Sequence, residues 1–172
     1  ASANKENPCQ QWQGFLVSGA ESFMEETLLG VADAAYIAGI IDGEGTITLT
    51  RKHRNENRQL AVTVSSNERC LLEFIRQSVG VGKITNKRTA KAEHAPQFNF
   101  ALYNRQALVL LEKVTTYLRT YKRERARLIL RDYLRLTPRN GYYTDTLRTE
   151  REKFETAVLC ITASSAKRNV TS

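Results

Sequence analysis

The sequence predicts an α+β domain. A four-stranded antiparallel sheet carries helices in the order α-β-β-α-β-β-α, with further helices at the C-terminal end. Three observations predict this. Two pairs of segments alternate apolar and polar residues with a period of two: Thr46–Lys52 with Gln59–Ser65, and Lys83–Thr89 with Gln97–Tyr103. Each pair is followed by an apolar pattern of helical period, over 66–79 and over 104–118. A compact run, Ala35-Tyr-Ile-Ala-Gly-Ile-Ile-Asp-Gly-Glu-Gly-Thr-Ile47, joins a helix rich in small residues directly to the first strand.

Residues 1–30 read as an N-terminal extension of Gln, Asn, Ser, Pro and Gly with isolated Trp12 and Phe15. Ser22 and Glu25 there have the spacing of a helix-capping box. The domain proper is expected over 31–163, with a polar tail over 164–172. Its first helix has Ala34, Ile37 and Ile41 on one face and Ala35 with Ala38 beside them, with Asp33 expected as N-cap and Gly43 and Gly45 as terminators. Asp42 and Glu44 fall at the C-terminal end of this helix, where the dipole is negative and carboxylates are disfavoured. A cation is therefore expected beside them, and a hard divalent ion suits carboxylate and carbonyl oxygens.

In the first hairpin Ile47, Leu49, Leu60, Val62 and Val64 take one face, and Thr46, Thr48, Thr50, Lys52, Gln59 and Thr63 the other. Ser66-Asn67-Glu68 opens the next helix, which Gly80-Val81-Gly82 ends. In the second hairpin Phe98, Phe100 and Leu102 alternate with Gln97, Asn99 and Ala101. Helices follow over 104–118, 121–136, where Thr137-Pro138 breaks the pattern, and about 144–163.

A chain of 172 residues is long enough for one substantial core, and its net charge of +8 with a pI near 9.6 favours a polyanionic partner. No run approaches the length of a membrane span, and no charged segment followed by an apolar one suggests a secretory signal. The cysteines Cys9, Cys70 and Cys160 are odd in number and scattered, without zinc spacing, so a reducing intracellular compartment is expected.

The polar side of the two hairpins and their turns gathers hydrogen-bonding groups: Thr46, Thr48, Thr50, Lys52, Arg54, Arg58, Gln59, Thr63, Lys83, Thr85, Lys87, Arg88, Gln97 and Asn99. Arg and Lys match guanine in the major groove, Gln and Asn match adenine, and Thr serves either edge. Strand rise, about 3.3 Å per residue, is close to the rise of a base pair, so a twisted ribbon can follow the groove. A third cluster, Arg119, Lys122, Arg123, Arg125 and Arg127, reads as a basic helix face for phosphates.

The run Ile37-Ala38-Gly39-Ile40-Ile41-Asp42-Gly43-Glu44-Gly45 resembles the signature of the LAGLIDADG homing endonucleases, and the order of elements over about 32–163 resembles one repeat of that family. The resemblance implies a saddle-shaped sheet and a motif helix packed on its twin across a twofold axis. Ala35, Ala38, Gly39 and Asp42 would lie at that contact. It implies Glu44, with the carbonyl of Gly43, as the metal ligand, and Mg²⁺ as the ion, with Mn²⁺ substituting and Ca²⁺ non-productive. A Lys-x-x-x-Ala pattern matches Lys122 to Ala126 and implies that Lys122 acts at the phosphate, with Arg119 or Arg123 as alternatives. The Gln that often holds an active-site water after the second strand is missing, so Ser66 or Asn67 stands in. A single motif implies a homodimeric endonuclease on a long near-palindromic double-stranded DNA target, in intron or intein homing, without a membrane. The competing expectation is a non-catalytic binder on the same fold, an intron-RNA maturase or a DNA-binding regulator.

Overall fold

The computed structural model describes residues 29–51, 53–54, 56–87 and 96–163. The expected extension up to residue 28, the tail from 164, Lys52 and Arg88 lie outside these residues. The chain runs α1 (Val31–Glu44), β1 (Gly45–Thr50), β2 (Gln59–Ser66), α2 (Arg69–Val79), β3 (Lys83–Lys87), β4 (Gln97–Tyr103), α3 (Asn104–Val114), α4 (Lys122–Asp132) and α5 (Asp145–Cys160). The strands form one antiparallel sheet in the order β1-β2-β4-β3.

The period-two alternation decides the sheet's two faces. Ile47, Leu49, Leu60, Val62, Val64, Phe100 and Leu102 are buried on the helix-covered side. Burying one such side chain contributes about 1.5–3 kcal/mol, so this row anchors the fold. Ile37 and Ile41 of α1, Leu72 and Ile75 of α2, Leu111 of α3, Ile129 of α4 and Val158 of α5 complete the core.

Two glycines are set by contact. A Cβ on Gly45 would lie 2.7 Å from the Cα of Ile41 and 2.9 Å from its carbonyl oxygen, so only glycine lets the chain turn from α1 straight into β1. Gly82 has φ +116°, and its missing Cβ leaves room for the Phe100 ring. Gly80 ends α2 as expected, at φ +77° with its N–H donating to the carbonyl of Arg76.

The boundaries of α1 differ from expectation. Asp33 lies in its first turn and the N-cap is Gly30, without a side-chain cap. Gly43 does not terminate the helix, which runs through Glu44 and is capped by Gly45. The helical pattern over 104–118 also breaks early: α3 ends at Val114, and a turn with Leu118 buried leads to α4 at Lys122.

Candidate nucleic-acid interface and active site

The uncovered face of the sheet is polar, and the strand register shows which residues share it. Thr46 pairs with Thr63, Thr63 with Ala101, and Ala101 with Lys83; Thr48 pairs with Ala61, and Ala61 with Tyr103. Thr50 pairs with Gln59, Ser65 with Asn99, Asn99 with Thr85, and Gln97 with Lys87. The expected Thr46, Thr48, Thr50, Gln59, Thr63, Lys83, Thr85, Lys87, Gln97 and Asn99 thus lie on one face. Tyr103, which has the parity of Asn99 and Ala101, is 44% exposed on the same face and was missed because an aromatic at a strand end reads as core. Ser65 joins it as well, donating to Oδ1 of Asn99 at 3.1 Å.

A buried tyrosine orders one end of this face. The Leu60 N–H donates to the Tyr133 hydroxyl at 3.1 Å, so that hydroxyl must donate onward, to Oδ1 of Asn104 at 2.8 Å. The Asn104 amide nitrogen then faces Oε1 of Gln59 at 3.4 Å, from a residue held at φ +50°.

Arg54 is exposed in the β1–β2 loop. Arg58 departs from expectation. Its guanidinium turns back, with Nη1 3.3 Å from the Leu49 carbonyl and Nε 3.4 Å from Oε2 of Glu155, so these donors are engaged within the chain. No local pattern ties Arg58 to Glu155, 97 residues away.

The motif acids close α1, but they differ in surroundings. The Asp42 carboxylate is spent within the chain: Oδ2 accepts from the Arg119 N–H and Oδ1 from the Thr120 hydroxyl, each at 2.6 Å. Asp42 thereby pins the turn before α4, which occupies the side chain expected at a dimer contact. Glu44 is exposed, and among the described residues no hydrogen bond or ion pair engages its carboxylate. Of the two motif acids, Glu44 is the one left open to solvent.

The cation expected beside these acids is in part the chain's own. Lys122 is buried and its Nζ donates to the carbonyls of Ile41 at 2.8 Å and Asp42 at 2.9 Å, so it caps the negative end of α1. Burial lowers the Lys122 pKa from its ordinary value, Asp42 and Glu44 opposing that shift and Arg125 adding to it. The expectation of an exposed basic helix face is corrected here. Arg125 is also buried, donating to the carbonyls of Ile47 and Ile161 and stacking on Tyr121, while Arg127 is exposed and pairs with Glu124. The buried Nε of Arg123 has no partner among the described residues. Arg119, whose main-chain N–H is bound to Asp42, is exposed.

Gly45 pairs with Val64, which sets Ser66 two residues further along β2 from the helix end. The Ser66 hydroxyl accepts from the Glu68 N–H and keeps its own proton to donate; Asn67 is exposed. The small-residue face of α1 divides differently from expectation: Ala38 is fully buried in the chain's own core and is not available to a partner. Gly39 and Gly43 face open space, next to Ala35, Ile40, exposed Tyr36 and exposed Val31.

Among the described residues no cluster of three His, Cys, Asp or Glu side chains forms a metal site, and no helix is long and apolar enough to cross a membrane.

The fold is similar to that of the homing endonuclease I-CvuI in complex with its target in the presence of calcium: TM-score 0.64 at 21% identity, over 77% of this chain and 83% of that one. It is similar also to the homing endonuclease I-TnaI, with a TM-score of 0.53 at 16% identity over 80% and 95% of the two chains. The archaeal intron-encoded I-Vdi141I complexed with DNA gives 0.53 at 16%, over 76% and 84%. A comparison with curated protein sequences found no significant match. The family model of the LAGLIDADG endonucleases matches residues 37–133, more than half of the chain and the whole span from the motif helix to α4. The chain belongs to the LAGLIDADG endonuclease family.

Proposed function

We propose that the protein cuts a long, near-palindromic double-stranded DNA site as a twofold homodimer, with Mg²⁺ held at the ends of two α1 helices, in intron or intein homing. The observation that carries this reading is Glu44: an exposed, unengaged carboxylate at the end of a helix whose outward face is small and apolar. A helix apolar on both sides needs cover on both. Gly39 and Gly43, one turn apart, let a second α1 approach closely, and a twofold contact of this kind sets the two Glu44 carboxylates near the axis.

Glu44 and the Gly43 carbonyl would hold the ion, Mn²⁺ substituting for Mg²⁺ and Ca²⁺ supporting binding without cleavage. Once bound, it supplies charge neutralisation at the scissile phosphate and a more acidic water. The remaining work belongs to the chain. The Asp42 carboxylate and the Lys122 ammonium fix the helix end, so Glu44 is presented at a set height. Arg119, exposed beside Asp42, stabilises the phosphate in the role first expected of Lys122. The Ser66 hydroxyl and the Asn67 amide orient the attacking water in place of the missing Gln. The Thr, Gln, Asn and Lys rows of the open face read the groove.

The test begins with cleaved sites selected from a random DNA library. Cleavage with Mg²⁺ and its loss with EDTA, together with a dimeric mass on the selected site, support the reading. Metal-independent binding of structured RNA without any DNA cleavage would favour the maturase alternative.

A further inference from the structure

Between β1 and β2, Arg51 and Arg58 are tied to α5 by an ion cluster. Both main-chain groups of Arg58 are taken by α5 side chains: its N–H donates to Oε1 of Glu155 at 3.1 Å, and its carbonyl accepts from Nη2 of Arg151. The Arg58 guanidinium adds Nε at 3.4 Å from Oε2 of the same glutamate. Arg51, at the other end of the loop, has Nη2 3.8 Å from that oxygen. Glu155 therefore holds both ends of the loop. Arg151 holds Glu155 in turn, with Nε 3.1 Å from Oε1, and donates to the Leu136 carbonyl and the Thr137 hydroxyl while lying over the Tyr133 and Phe154 rings.

Arg151 is 2% exposed and Glu155 6%. Such a cluster is by itself weak evidence for stability, because buried charges replaced together by apolar side chains of like volume often leave a protein as stable or more so. What the cluster adds is one defined position for the base of a polar loop whose described residues 51, 53, 54, 56 and 57 are exposed. That loop follows the Thr50–Gln59 pair at the end of the open face and carries exposed Arg54.

We propose that Glu155 is a positioning residue for DNA recognition: held by Arg151, it fixes Arg51 and Arg58 and so sets the register of the β1–β2 loop on the target. The inference rests on the reading that the open face binds DNA. A loop held in one geometry rejects base pairs that require another, and it loses less entropy on binding. A released loop adapts, so it binds more weakly and tolerates mismatches beneath it.

The experiment measures the affinity of the full chain for its selected target and for every single-base variant of that target. Glu155→Gln is compared with wild type, and so is the double variant Arg151→Met with Glu155→Met, which removes both buried charges together. Each is first checked for a cooperative urea melt. The expected result is about a tenfold loss of affinity, the scale of ordering one short loop, and a preference profile flattened in one block of base pairs per half-site. Uniform loss at every position, or an unchanged profile in a folded variant, would overturn the proposal. So would loss of the fold in both variants, since the cluster would then serve stability. A wild-type protein without base preference would instead reject the DNA reading beneath it.

Discussion

The Lys122 ammonium nitrogen lies 2.8 Å from the carbonyl oxygen of Ile41, a residue 81 positions away, and so closes the helix that carries the motif acids. Lys122 also reaches the Asp42 carbonyl, while the Asp42 carboxylate reaches forward to Arg119 and Thr120. The two ends of this tie are reciprocal: α4 caps α1, and α1 pins the turn into α4. Lys122→Met should therefore act first on stability. Two carbonyls lose a charged donor, at a cost of about 2 kcal/mol, read as a lower urea midpoint with unchanged slope. A variant as stable as wild type would mean that the cap is not formed.

Asp42 and Glu44 should separate in the same assay. Asp42→Ala leaves the Arg119 N–H and the Thr120 hydroxyl without their acceptor and should cost about 1–2 kcal/mol. Glu44→Gln removes a charge from the negative end of a helix and should leave the melt unchanged or slightly raised. If both variants melt alike, the division of labour between the two acids is wrong.

The outward face of α1 offers a contrast between neighbouring residues. Gly39 faces open space, so Gly39→Leu should leave the subunit folded and block dimerisation, seen as a monomeric mass by sedimentation. Ala38 is fully buried, so Ala38→Leu should overpack the core and cost about 1–3 kcal/mol. A dimer that survives Gly39→Leu would place the interface elsewhere.

The open face should bind with steep salt dependence. Replacing Lys83, Lys87 or Arg54 by Ala should lower the slope of log affinity against log salt by about one each. Gln59→Ala should instead relax preference at one base pair. Equal loss on all DNA sequences from Gln59→Ala would show that it contacts only the backbone.

Much of the fold was legible because period-two alternation needs no tertiary knowledge: Ile47, Leu49, Leu60, Val62 and Val64 took the predicted face, and Thr46, Thr48, Thr50, Gln59 and Thr63 the other. The pair Asp42 and Glu44 was legible as well, since carboxylates at a helix C-terminus stand out by its dipole, but which of the two stays free was not. Long-range ties were not legible. Nothing in the basic run 119–127 marks Lys122 and Arg125 as buried and Arg119 as exposed, because that depends on where α1 and β1 end in space. Ala38 and Gly39 look alike as small residues, yet a single 100° step around the helix puts one in the core and the other outside.

The central claim is that Glu44 carries the chemistry and not the fold or the binding. Single-turnover cleavage of the selected site by wild type and Glu44→Gln, in Mg²⁺ and in EDTA, beside a binding assay in Ca²⁺, tests it most directly. The account predicts that Glu44→Gln binds the site normally and cuts it about a thousandfold more slowly or not at all, and that EDTA reduces the wild type in the same way. Cleavage by Glu44→Gln at the wild-type rate in Mg²⁺ would contradict the account.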